Sequence, residues 1–75
     1  MSRVRKRSVT IHGHRTSFSL EDAFYDLIVD IADSRKITVA ALIAEIDASR
    51  DRNSNLSSAL RLHVLDWVKN RSKRP

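Results

Sequence analysis

A chain of 75 residues without cysteine is long enough for one small domain, and its core is marginal unless oligomerisation adds to it. Its apolar runs are too short to span a bilayer, and no signal-peptide pattern follows the basic N-terminus, so we expect a cytoplasmic protein with no membrane segment. The formal net charge is +5, and cations cluster at both ends around a middle that holds all nine acids. This distribution indicates a polyanion partner such as nucleic acid.

Two segments with strand character follow residues 1–7, which predict a flexible basic arm. Ser8–Ile11 alternates β-branched residues, and Arg15–Leu20 resumes the alternation after the only glycine, Gly13. The second segment has an apolar and a polar face: Thr16, Phe18 and Leu20 against Arg15, Ser17 and Ser19. Its pairing stays open between a hairpin with the first segment and an antiparallel pair with the same strand of a second copy. Gly13 could instead mark a bulge in one bent strand.

The first helix is predicted to begin at Ser19 or Leu20, because Ser19 and Asp22 resemble a capping box. Its apolar residues recur at three- and four-residue spacing: Ala23, Phe24, Leu27, Ile28, Ile31 and Ala32. Aspartates occupy the opposite face: Asp22, Asp26, Asp30 and Asp33. The pattern predicts an amphipathic helix with an acidic outer face that ends at Arg35 and Lys36.

A second and a third helix complete a single domain over residues 8–70, followed by a basic tail over residues 71–75. Thr38 is the predicted cap of the second helix, which ends near Ser49 or Arg50, and residues 51–55 form a loop. The third helix, from Leu56 to about Asn70, carries two apolar stripes: Leu56, Ala59, Leu60, Val64, Trp67 and Val68, and then Leu62 and Leu65. A helix that is apolar on two sides must be covered on two sides, and we expect another subunit to provide the second cover.

A family resemblance rests on these spacings: Thr16-x-Phe18-x-Leu20-Glu21, Phe24-x-x-Leu27, Ile31-Ala32 and Ile37-Thr38-x-x-x-Leu42-Ile43. The pattern resembles the ribbon-helix-helix family of bacterial and phage DNA-binding proteins. The segments 13–21 and 56–62 resemble a subfamily of short bacterial proteins. The resemblance implies a mainly α fold with a short β-ribbon and an additional C-terminal helix, in an obligate dimer whose ribbon pairs Arg15–Leu20 with the same strand of the second copy. Where the family often has glycine between its helices, this chain has Arg35-Lys36, so a residue in the left-handed conformation is expected there.

The resemblance also implies a function, namely a small homodimeric transcriptional regulator, a repressor, that reads the major groove of double-stranded DNA with its β-ribbon. Base contacts fall to Arg15, Ser17 and Ser19. Phosphate contacts fall to Arg3, Arg5, Lys6, Arg7, Lys36, Thr38 and Val39. The dimer core comprises Phe18, Leu20, Phe24, Leu27, Ile28, Ile31, Leu42, Ile43, Ile46, Leu60, Val64 and Trp67. The alternative is a protein-interaction or assembly module on the same fold with only weak, non-specific DNA binding.

Metal and catalytic chemistry have little support in the sequence. His12 and His14 could share a strand face and begin a metal site, but no clear third ligand accompanies them. Serines occur at predicted caps and turns without an orienting histidine and acid, and there is no glycine-rich phosphate loop. We therefore expect no enzyme activity, no cofactor and no metal.

Overall fold

A computed structural model describes residues 3–72 as a two-stranded antiparallel hairpin followed by three helices. The elements are β1 (Val4–Ile11), β2 (His14–Glu21), α1 (Asp22–Arg35), α2 (Val39–Ser49) and α3 (Leu56–Ser72). This architecture confirms the predicted mainly helical fold with a short β-ribbon and an additional C-terminal helix.

The strands pair within the chain, from Ile11 opposite His14 to Val4 opposite Glu21. The two residues between them, His12 and Gly13, have φ angles of 50° and 79°. Positive φ at both central residues is the type I′ pattern, whose twist matches that of a hairpin. Of the arrangements that the sequence left open, the structure has the hairpin.

Residues 4–7 belong to β1, so the prediction of a flexible arm does not hold for them. They pair with residues 18–21 because β2 is eight residues long and its C-terminal half also needs a partner for its backbone groups. The basic composition of this segment suggested solvated arm, although its side chains also fit a strand. Residues 1 and 2 of the predicted arm and residues 73–75 of the predicted tail lie outside the described residues, and α3 continues through residues 71 and 72.

One core lies between the hairpin and the three helices. Residues predicted for the dimer core are buried within the single chain: Phe18, Leu20, Ile28, Ile31, Leu42, Ile43, Ile46, Leu60 and Val64. Phe24, Leu27 and Trp67 are partly buried and pack against them. Ile11, Ala32 and Leu56 complete the buried set. A second copy is therefore not needed to bury these side chains.

The first helix begins later than predicted, at Asp22. Ser19 still belongs to β2, and its backbone N–H donates to Ser57 Oγ at 3.0 Å, so the capping-box prediction is wrong. Glu21 occupies the N-cap position and, within the described residues, has no side-chain capping hydrogen bond. The Ser-x-x-Asp spacing was compatible with a cap, but the neighbouring β1 strand keeps the backbone extended as far as Glu21.

Local hydrogen bonds fix both interhelical turns. Lys36 is left-handed, with φ 57° and ψ 39°, as expected for the turn without glycine, and its N–H donates to the carbonyls of Ala32 and Asp33. Thr38 caps α2 as predicted, because its Oγ1 accepts from the Ala41 N–H at 3.0 Å. Asn55 Oδ1 accepts from the Ser58 N–H at 2.7 Å at the start of α3. Across residues 3–72, no helix is long and apolar enough to cross a membrane.

Candidate nucleic-acid interface

The outward face of the hairpin is a two-strand array of polar side chains. Residues directly opposite each other in an antiparallel pair share a face, so the strand register determines which residues form the outward face. Its pairs are Lys6 with Ser19, Ser8 with Ser17, and Thr10 with Arg15, and the pair of Val4 with Glu21 ends it. Apart from half-buried Ser19 and Glu21, these side chains are exposed. All three predicted base-contact residues thus lie on one face, beside side chains of β1.

Arg15 is the cation at the turn end of the outward face. Its Nη2 lies 3.5 Å from Ser8 Oγ, across the hairpin and one pair away. Arginine carries five N–H donors in a planar fork, and one long contact leaves most of them available to another acceptor. A guanidinium in this position can donate two parallel hydrogen bonds to guanine O6 and N7.

The other end of the outward face is closed by α3. Besides the Ser57–Ser19 hydrogen bond, Arg61 donates to Glu21 Oε1 from Nε at 3.0 Å and lies 2.9 Å from it through Nη2. The pKa of Glu21 lies below its ordinary value, first because its own backbone N–H donates to the carboxylate and second because of Arg61. Burial works in the opposite direction but does not prevail. The only acid among the eight outward positions is therefore ionised but charge-compensated.

Arg5 and Arg7 lie on the opposite, inward face of the hairpin. Arg7 Nη2 donates to Asp22 Oδ1 at 2.5 Å, and its guanidinium carbon lies 4.1 Å from the centroid of the Tyr25 ring. The Nε of Arg7 is buried and has no hydrogen-bond partner within the described residues. Arg5 Nε lies 3.3 Å from the same Asp22 oxygen, and its side chain is mostly exposed. The structure thus places Arg7, predicted to contact phosphate, in a contact between β1 and α1.

The turn between α1 and α2 holds the other predicted phosphate contacts. Lys36 and Thr38 are exposed, and Val39, the first residue of α2, is half-buried. A forked ion pair joins the two helices beside the turn: Arg35, the last residue of α1, donates from Nη1 and Nη2 to the Glu45 carboxylate on α2 at 2.5 and 3.1 Å. This pairing raises the pKa of Arg35 and lowers that of Glu45. The first backbone N–H groups of a helix have no intrahelical acceptor, which makes this end suited to a phosphate.

A comparison with known protein families identifies the family to which this hairpin and its three helices belong. A family described as "Ribbon-helix-helix domain" matches residues 4–68, from the first residue of β1 to the last third of α3. The chain belongs to the ribbon-helix-helix family. No curated protein and no solved structure matches it significantly. Ribbon-helix-helix proteins generally bind DNA as dimeric transcription regulators, and the domain is typically not enzymatic.

The family pattern assigns one strand to base reading, and sequence reasoning placed only β2 on that face. It missed Ser8 and Thr10, which the hairpin register sets beside Ser17 and Arg15. The alternating pattern of Ser8–Ile11 was the available signal, but it gives a face only once the pairing is known. His12 lies in the turn and His14 begins β2. No group of three or more His, Cys, Asp or Glu residues suited to a metal occurs within residues 3–72.

Proposed function

We propose that this ribbon-helix-helix protein is a homodimeric transcriptional regulator, acting as a repressor, that binds double-stranded DNA sequence-specifically through the outward face of its hairpin. The observation that carries the proposal is the character of that face: it presents cations and hydroxyl groups, and its acid, Glu21, is compensated by Arg61. The major groove is wide enough to admit a two-stranded ribbon. A polar, cationic ribbon matches both the phosphate charge and the base-edge acceptors.

Within this function, Arg15 and Ser17 contact bases, and Ser19 does so from the edge near α3. Lys6, at the far end of the same face, and Arg3 contact phosphates, and the turn at Lys36, Thr38 and Val39 holds a further phosphate. Arg5 remains a proposed phosphate contact, because its side chain is 64 % exposed. Arg7 is not included, because Asp22 and Tyr25 occupy its guanidinium. Phosphate contacts set the orientation of the ribbon, and base contacts set the sequence preference.

The homodimer is supported by the family and by α3. Leu62 and Leu65 are 60 % and 52 % exposed on the side of α3 that faces away from the core. A second copy would cover this stripe, and a two-fold dimer would present two hairpins to two half-sites.

The proposal is tested by incubating the protein with randomised DNA duplexes near physiological salt and sequencing what it retains. We expect a two-fold-symmetric motif. Arg15→Ala should weaken binding to that motif by about 1–3 kcal/mol and relax one position in each half-site. Arg71→Ala is the matched control, because it removes the same charge about 21 Å farther along α3 than Ser57. Retention without a motif, or equal losses from both variants on every sequence, would contradict base reading.

A second candidate is the protein-interaction module, and the exposed leucines of α3 together with the acidic outer face of α1 favour it. Asp26, Asp30 and Asp33 are exposed along that helix. In this case the cationic positions give only weak DNA affinity with a strong salt dependence. Failure of the protein to retain any duplex in the same selection would support this candidate over the first.

A further inference from the structure

The hairpin gives each chain two strands on the outward face, and only β2 has a base-reading role in the proposed function. We propose that β1 reads DNA bases as well, with Ser8 and Thr10 as specificity-determining residues and Ser8 as the side chain that positions Arg15. This inference rests on the proposed DNA-binding function and adds a second strand to its recognition surface.

The backbone geometry places these side chains close to those of β2. The Ser19 N–H points away from β1 to Ser57, so Lys6 and Ser19 form a pair without mutual backbone hydrogen bonds. Hydrogen-bonded and non-hydrogen-bonded pairs alternate along an antiparallel ladder. The Ser8–Ser17 and Thr10–Arg15 pairs, two and four positions along, therefore also lack mutual backbone hydrogen bonds. The Cα atoms of such pairs are about 4.5 Å apart, and their side chains are the closest neighbours on a sheet face.

Both strands fit the groove together. Neighbouring strands are about 4.8 Å apart, and the B-DNA major groove is about 12 Å wide, so a ribbon that brings Ser17 to the bases brings Ser8 there too. Threonine at position 10 offers a hydroxyl that can donate to or accept from a base edge and a methyl group that can pack on the thymine methyl. The inward residues of β1, such as Arg7 and Val9, point to the helices and cannot take this role.

Ser8 has a further effect through Arg15. Its Oγ lies 3.5 Å from Arg15 Nη2, on the diagonal of the two neighbouring pairs. A long arginine side chain loses rotamer freedom when it binds a base, and a partner on the sheet face reduces the number of orientations it samples beforehand. We therefore expect Ser8 to act on the same base pair as Arg15.

The test repeats the duplex selection with Ser8→Ala and Thr10→Val, and uses Thr16→Val as the control. Thr16 faces inward on the same hairpin, so its change to valine has the same chemistry as Thr10→Val without reaching the groove. Each outward variant should lose preference at a motif position and bind the wild-type motif roughly 5- to 150-fold more weakly. Binding to unrelated duplexes and the salt slope should not change, and Thr16→Val should keep the wild-type motif.

Coupling between Ser8 and Arg15 distinguishes positioning from an independent contact. We expect Ser8→Ala to weaken preference at the position that Arg15→Ala relaxes, and the double variant to lose no more there than Arg15→Ala alone. Unchanged motifs for both Ser8→Ala and Thr10→Val, with Arg15→Ala still relaxing one position, would overturn the inference and leave the proposed function intact. A wild-type protein without any motif would overturn both. Thermal melts check that all variants fold. Because Ser8 and Thr10 are both exposed and are tested separately, one well-folded variant of the two is enough to test the inference.

Discussion

Adjacent cations in β1 have different environments because side chains on a strand alternate faces. Lys6 is exposed on the outward face, whereas Arg7 faces inward, where its side chain is 20 % exposed between Asp22 and Tyr25. Composition alone makes the two residues equivalent. Their positions in the hairpin predict that one acts on DNA and the other on stability.

We expect Arg7→Ala to lower the free energy of unfolding by about 1–2 kcal/mol, because it removes a partly buried ion pair and a cation–π contact. Lys6→Ala should leave stability within about 0.5 kcal/mol and flatten the dependence of log K on log salt by about one unit. Urea unfolding and a salt titration of DNA binding measure the two effects. A reduced salt slope with unchanged stability for Arg7→Ala would make Arg7 a phosphate ligand.

The hairpin turn provides a second test at single residues. Gly13 has φ 79°, and a Cβ added there would meet no atom within 4 Å in the described chain, so the cost of Gly13→Ala is conformational and not steric crowding. We expect a loss of about 1 kcal/mol. His12→Asn should instead stabilise by a few tenths of a kcal/mol, since Asn-Gly is the preferred type I′ pair. Thermal unfolding of the two variants beside the wild type checks both signs.

At the scale of elements, the contact between α3 and β2 determines which strand edge is available. The Ser19 N–H points to the edge of β2 that β1 does not cover, and Ser57 accepts it there. A symmetric ribbon between β2 strands of two copies would need this edge or the one that pairs with β1. Pairing that includes Ser19 would displace Ser57, and pairing at the other edge would open the hairpin. A dimer that keeps both contacts intact therefore pairs its β2 strands short of Ser19 or forms through another surface.

The carboxylate of Glu21, which accepts from its own backbone N–H and from Arg61, predicts a pH dependence. The folded-state pKa of Glu21 lies below its ordinary value of 4.5, so the unfolded chain binds the proton more tightly. The contribution of Glu21 to stability is therefore fully present above about pH 4.5 and is lost as pH falls through its folded-state pKa. Glu21→Gln should lose less stability than the wild type between about pH 5 and about pH 3. The midpoint of denaturant unfolding, measured at each pH, reports this difference.

The control for this pH series is Glu45→Gln, which removes another glutamate with a lowered pKa but leaves the α3–β2 contact in place. Glu21→Gln alone should weaken attachment of α3 to the hairpin. Hydrogen exchange at the Ser19 amide reports that attachment directly, because this N–H donates to Ser57 on α3. Equal pH profiles for the wild type and Glu21→Gln would show that Glu21 does not cause the pH dependence of stability.

For the whole molecule, sequence patterns were most informative where structure is local. Apolar spacing predicted the three helices, most of the core and the Thr38 cap, because these depend on residues a few positions apart. Strand pairing depends on a distant partner segment, so the sequence did not distinguish a hairpin from pairing between two copies. For the same reason, residues 4–7 were interpreted as an arm. The roles of Arg7, Ser8 and Thr10 depend in turn on the register. The competing use of the Ser19 N–H by Ser57, 38 residues away, has no local signature.

The assembly of the molecule is the last consequence of its surface. Leu62 and Leu65 are exposed on α3, and the chain belongs to a family of dimeric proteins. The strands of the hairpin pair with each other, and the core residues are buried, within a single chain. We expect the wild type to sediment as a dimer at micromolar concentration and the double variant Leu62→Glu/Leu65→Glu to sediment as a folded monomer with unchanged helical circular dichroism. The variant should also lose the preference for a two-fold-symmetric site over a single half-site, because each hairpin then binds alone. Ala48→Glu, which adds an acid at an exposed position of α2 away from the hairpin face, is the control and should remain dimeric. If the α3 variant also remains dimeric, the subunits meet through another surface, and the exposed leucines become available to a different protein, as in the second candidate function.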